Sequence, residues 1–217
     1  WGRVYLNIVI PYWSRQVVKS AGIRVIHFGT PAPQTALLAS NHICWLDPFI
    51  VASQIPVAPI AKMEVRHWPL VGWLVAQGGV VFIKRGSGDA VQVVEQVQGL
   101  PRSKVSILFY PEATSTDQRL PKPFYPKLFR IAVLGNVPVQ PVALSYPQTD
   151  GTGVNPIAPF VGDTSFVTHL IRLMQVRRTV CQLRYLPPID TTQATGVFEA
   201  DDVQKSAELL AQKSHAA

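Results

Sequence analysis

The sequence predicts a single α/β domain with a mixed, largely parallel sheet flanked by helices, plus an N-terminal helical segment suited to a membrane interface. Three observations carry this reading. Short β-type runs alternate with helical patterns along the chain. The runs are mostly continuous in apolar residues, as in strands buried on both faces. The 217 residues are 47% hydrophobic and only 15% charged, which suffices for one sizeable core and excludes extended disorder.

Taken in order, the first 30 residues hold Arg3, Arg15, Lys19 and Arg24 and no acid, interleaved with Trp1, Tyr5, Tyr12 and Trp13. Rings that sit among headgroups and cations that meet lipid phosphate suit a bilayer interface. The same residues also suit an ordinary packed helix broken at Pro11. Because the chain begins at Trp1 without a methionine, a preceding anchor or targeting segment is compatible with it. Strands are expected at Ile23–Phe28, Ala36–Ser40, Val57–Ala61, Val80–Ile83, Val105–Tyr110, Val137–Leu144 and Val180–Leu186.

Among the helices, Asp47-Pro48 has the form of an N-cap followed by proline at the first helical position. Asp89–Gln98 gathers Ala90, Val93, Val94 and Val97 on one face, and Lys127–Leu134 and Phe166–Val176 are further helices. Glu199–Lys213 reads as a surface helix whose charge order follows the helix dipole. Pro69, Gln77 and Gly78-Gly79 interrupt the uncharged stretch near Trp68–Ile83, leaving it short of the ~20 apolar residues of a spanning helix.

Twenty Lys and Arg against thirteen Asp and Glu leave +7, which favours an anionic partner: nucleic acid, a lipid surface or a phosphorylated small molecule. Two cysteines, Cys44 and Cys181, exclude a disulfide framework and a cysteine metal cage, and the scattered histidines suggest no metal cluster. No Gly-x-Ser-x-Gly elbow, phosphate loop or His-Glu-x-x-His helix is present, and Gly151-Thr152-Gly153 lacks a third glycine. Without a zinc finger, an RNA-recognition signature or a helix-turn-helix, a basic nucleic-acid-binding protein is the weaker alternative.

The stretch Ser40–Phe49 stands apart. His42 and Asp47 are five residues apart and would point ~140° away from each other on a regular helix. A strand ending at Ser40 and a helix starting at Asp47 supply a bend that lets the carboxylate meet one imidazole nitrogen. The other nitrogen then faces outward as a base, as in the His–Asp half of a serine-protease triad, with a substrate hydroxyl in place of the serine. A loop histidine beside an N-capping Asp47 is the structural alternative on spacing alone.

Asn41-His42 and Trp45-Leu46-Asp47-Pro48 together resemble the Asn-His-x-x-(Trp/Ser)-x-Asp-Pro motif of the glycerolipid acyltransferases, the family of 1-acylglycerol-3-phosphate acyltransferases. Three further blocks of that family follow in order. Gly79-Val80-Val81-Phe82-Ile83-Lys84-Arg85 looks like its second, Phe109-Tyr110-Pro111-Glu112-Ala113-Thr114-Ser115 like its Phe-Pro-Glu-Gly-Thr-Arg block, and Val137-Pro138-Val139-Gln140-Pro141-Val142 like its Val-Pro-x-x-Pro-Val block.

The resemblance implies O-acyl transfer from an acyl thioester, acyl-CoA or acyl carrier protein, to the free hydroxyl of a lysolipid such as 1-acylglycerol-3-phosphate, in membrane lipid biosynthesis. It implies no cofactor and no metal. His42 is then the general base and Asp47 the group that fixes its tautomer. Asn41, Lys84, Arg85, Glu112, Ala113, Thr114 and Ser115 would bind substrate, and Arg119, Lys122 and Lys127 would meet headgroup or donor. Residues 1–22 become the membrane-interface segment and 23–217 the catalytic domain, placed at the cytoplasmic face of the inner or plasma membrane. Cys44 lies within the motif, but the family requires no residue there, so an acyl-cysteine is not expected.

Two positions depart from the family. Ala113 replaces a glycine, which restricts the backbone to negative φ unless strain is accepted. Ser115 replaces the arginine associated with the acceptor's phosphate and offers no bidentate charged fork, so either Arg85, Lys84, Arg119, Lys122 or Lys127 takes over that contact or the acceptor is not a lysophosphatidate. Pro-Glu-Ala-Thr-Ser-Thr resembles bacterial branches whose acceptors include lyso-ornithine lipid, which makes a non-phosphate acceptor the principal alternative. A non-catalytic lipid-binding relative is a further one.

Overall fold

Among the described residues, seven strands form one sheet: β1 (Ile23–Phe28), β2 (Leu37–Ser40), β3 (Val57–Lys62), β4 (Val81–Ile83), β5 (Ser106–Phe109), β6 (Val139–Ser145) and β7 (Thr179–Tyr185), in the order β1-β7-β6-β2-β5-β3-β4. This computed structural model describes residues 5–67, 80–83, 105–118, 122–148, 153–162, 164–176 and 179–191, with a few isolated positions besides. Strand β2 runs parallel to β5 and β6, and β3 runs parallel to β5 and β4. β7 is antiparallel to β6 and parallel to β1, so the two strands at one edge run against the other five. Every residue of β2 and of β5 is buried, as their continuous apolar sequences require.

Among the described residues, four helices frame the sheet: α1 (Ile10–Ser20), α2 (Asp47–Gln54), α3 (Arg130–Gly135) and α4 (Phe166–Gln175). Pro11 does not break the first of them. It lies in the opening turn of α1, preceded by a π-helical turn over Tyr5–Val9, where a missing N–H costs little. Helix α1 packs on α2 with Trp13 edge-on to Phe49 at 5.4 Å, and Arg15 Nε donates to the Ser53 carbonyl at 2.8 Å. The Lys127–Leu134 pattern divides into a 3-10 turn, Pro126–Phe129, and α3.

The Asp47 expectation needs correction. Leu46 stands at the cap of α2, Asp47 is already its first helical residue, and no side chain caps this helix. The carboxylate turns back to the preceding loop, where several donors compete for it. Apart from Val93, the helices expected at Asp89–Gln98 and Glu199–Lys213 lie outside the described residues. Among the described residues no helix is long and apolar enough to cross a membrane.

Candidate active site

Because β2, β3, β4, β5 and β6 share one direction, the residues just past their C-terminal ends gather along one edge of the sheet, where α/β folds place ligands. Residues 41–46 connect β2 to α2, tightened by the Asp47 N–H donating to the Cys44 carbonyl at 3.0 Å. The bend brings His42 Nδ1 to 2.9 Å from Asp47 Oδ2. The same oxygen accepts the N–H groups of Ile43 at 2.7 Å and Cys44 at 2.8 Å, and the Tyr146 hydroxyl donates to Oδ1 at 2.6 Å.

Asp47 is 0% exposed and His42 23%. Two backbone N–H groups already occupy Oδ2, so this oxygen acts as an acceptor of charge-assisted bonds. A proton on His42 Nδ1 is donated to this acceptor, and in a neutral ring so held the lone pair is on Nε2. That is the tautomer a general base requires.

The loop after β5 grips His42 by its backbone. Glu112 Oε2 accepts the His42 N–H at 2.9 Å, while the Thr116 N–H and Oγ1 donate to the His42 carbonyl at 2.8 and 3.2 Å. Glu112 is buried and its Oε1 accepts the Lys122 N–H at 3.0 Å. The Tyr110 ring stacks on the imidazole, with centroids 4.1 Å apart and planes 25° apart. Burial first, and the Asp47 charge second, push Tyr110, Tyr146, Cys44 and Cys181 upward, so all four stay neutral around the carboxylate. A neutral, buried Cys44 is a poor nucleophile.

The other sequence-derived residues fall into distinct places. The Asn41 amide extends the β2–β6 ladder, donating to the Leu144 carbonyl at 2.9 Å and accepting its N–H at 2.7 Å. Ala113 adopts φ 57°, so the strain allowed for by its replacement of glycine is present, and its carbonyl accepts Lys62 Nζ at 3.0 Å. Thr114 is exposed. Ser115 Oγ donates to the Phe160 carbonyl, and the Phe160 N–H donates to the Ile43 carbonyl at 2.8 Å, which ties this loop to the His42 turn. Lys122 and Lys127 are exposed, while Lys84, Arg85 and Arg119 lie outside the described residues.

Tyr146, Thr116, Lys62 and Tyr110 were not singled out by the sequence reading. Their common signal is position, since Lys62 ends β3, and Tyr110, Thr116 and Tyr146 follow the ends of β5 and β6. A further unanticipated tie joins the motif to α4: Trp45 Nε1 donates to His169 Nδ1 at 3.1 Å, and its ring meets Phe166 edge-on at 4.8 Å.

A family model described as Acyltransferase matches residues 24–145. The lyso-ornithine lipid O-acyltransferase of Pseudomonas aeruginosa is 33% identical over 178 residues, covering 82% of this chain and 68% of that protein. The 1-acyl-sn-glycerol-3-phosphate acyltransferase of Neisseria gonorrhoeae is 29% identical over 182 residues, covering 82% of this chain and 70% of its own length. In fold, the chain is similar to the crystal structure of the 1-acyl-sn-glycerophosphate acyltransferase PlsC from Thermotoga maritima, with a TM-score of 0.67 over 99% of this chain and 80% of that one, at 20% identity.

Proposed function

The chain belongs to the acyltransferase family, and from that premise we propose that it moves a fatty acyl group from an acyl thioester to the free hydroxyl of a lysolipid, with His42 as general base. The observation that carries the reading is the buried Asp47 holding His42 Nδ1 at 2.9 Å, which leaves Nε2 to a substrate. Nε2 takes the proton of the acceptor hydroxyl as its oxygen attacks the thioester carbonyl. The tetrahedral adduct collapses, the C–S bond breaks, and the imidazolium returns its proton to the departing thiolate. The products are an ester and a free thiol. No acyl-enzyme intervenes, because the thioester is already activated.

For the acceptor, the reading favours lyso-ornithine lipid over 1-acylglycerol-3-phosphate. Ser115 carries no positive charge and its hydroxyl is committed to the Phe160 carbonyl, so it supplies no phosphate-binding fork. The similarity to a lyso-ornithine lipid O-acyltransferase supports the same choice. The donor is acyl-CoA or acyl carrier protein, and the work is done at the cytoplasmic face of a membrane, with the segment before β1 at the bilayer interface. Its exposed Ile8, Val9 and Tyr12 support that placement.

The test pairs the purified protein with each donor and with both acceptors, following thiol release and the mass of the lipid product. Acylated ornithine lipid is expected. Preferential formation of phosphatidate would reverse the acceptor choice, and thiol release with neither acceptor would remove the acyltransferase step itself.

A further inference from the structure

Helix α4 is apolar over more of its circumference than the protein covers. At ~100° per residue, Phe166, His169, Leu173 and Val176 share the arc turned inward, and His169 and Leu173 are buried. Val167, Ile171 and Met174 lie within about 60° of each other on another arc, and they are 60%, 51% and 60% exposed. Exposed Thr168, Arg172 and Gln175 fill the strip beside that outer arc. A helix that serves only a protein core needs one apolar stripe; this one presents a second to solvent.

Charge selects the occupant. Residues 164–189 contain Arg172, Arg177, Arg178 and Arg184 and no Asp or Glu. An apolar stripe flanked by the exposed Arg172, in a stretch of sequence without acids, is complementary to an anionic bilayer surface, where aliphatic side chains enter the headgroup boundary and an arginine meets phosphate. The helix also touches the reaction loop directly, through Trp45 Nε1 to His169 Nδ1 at 3.1 Å and Trp45 against Phe166 at 4.8 Å. An element docked on the bilayer there would hold the His42 turn near the surface that supplies a lysolipid.

We propose that the Val167, Ile171 and Met174 face of α4 is a membrane-docking surface for anionic lipid, separate from the segment that precedes β1. It deepens the lysolipid reading and rests on it for its purpose, but its test needs no turnover. Because Cys44 and Cys181 are buried, a cysteine placed at an exposed position takes an environment-sensitive dye selectively. Ile171→Cys and Met174→Cys, labelled and mixed with phosphatidylcholine vesicles with and without phosphatidylglycerol, are expected to shift to shorter wavelength, more strongly with phosphatidylglycerol. Thr168→Cys, on the polar strip, is expected to stay water-like.

The proposal is overturned by no shift at 171 and 174, or by an equal shift at 168. A concentration-dependent shift without vesicles would assign the face to a second copy of the chain and overturn it too. In turnover, I171S/M174S is expected to raise KM for vesicle-presented lysolipid about tenfold while leaving the rate with a soluble short-chain acceptor unchanged. Loss of thiol release with every acceptor would count against the acyltransferase reading, whereas the dye shifts alone decide the docking face.

Discussion

At Asp47, four donors converge on one fully buried carboxylate: His42 Nδ1, the N–H groups of Ile43 and Cys44, and the Tyr146 hydroxyl. Removing the last of these with Tyr146→Phe leaves the shape of the ring in place. The variant is expected to lose about 1–2 kcal/mol of stability, measured by urea denaturation, and to lower kcat with little change in KM. Ala113 tests a different residue-scale cost. Its φ of 57° is a left-handed conformation that glycine adopts freely, so Ala113→Gly is expected to raise stability by about 0.5–1 kcal/mol, seen as a higher urea midpoint. The His42–Asp47 pair was legible because both residues lie in one short bend. Tyr146 and Thr116 were not, since they meet Asp47 and His42 across 99 and 74 residues of chain, a distance that only the strand order closes.

Two elements hold the bend in place. The loop after β5 uses both oxygens of Glu112 as acceptors for backbone N–H groups, those of His42 and Lys122. In Glu112→Gln one of these N–H groups meets an amide NH2, and an unsatisfied buried donor costs about 1–3 kcal/mol. The expected outcome is a lower melting temperature together with slower thiol release. On the opposite side, α4 supports the loop through His169, whose pKa burial lowers. The folded state therefore resists protonating this group, while the unfolded chain accepts the proton near pH ~6.5. Its effect on stability is nil above that value and becomes a growing loss as pH falls below it. His169→Gln keeps an acceptor for Trp45 but does not titrate, so the variant should lose less stability than the wild type between about pH 7.5 and 5.5 in parallel denaturation curves. At this scale the continuous apolar runs located the strands well, because strands buried on both faces leave such runs. Helix beginnings were harder to read: Pro11 and Asp47 both have the residue type of a boundary, but Pro11 sits in the opening turn of α1 without ending it, and the Asp47 carboxylate is turned to the donors of the preceding loop.

Across the whole molecule, the common direction of five strands converts four separated sequence blocks toward one edge. The first, third and fourth blocks lie on or beside the adjacent strands β2, β5 and β6, and β4 carries part of the second, whose Lys84 and Arg85 lie outside the described residues. Cys44 and Cys181 are both buried, with thiols pushed upward by burial. Thiol reagents should leave the native protein unmodified and active, and should label both cysteines only once it unfolds, as intact-mass spectrometry would report. The most direct test of the account compares wild type and His42→Ala in a donor-thiol release assay with a lysolipid acceptor, with melting curves as the control for folding. The account predicts that the variant melts as the wild type does and loses about 10²–10⁴ in rate. A folded His42→Ala protein that transfers acyl groups at the wild-type rate would contradict it.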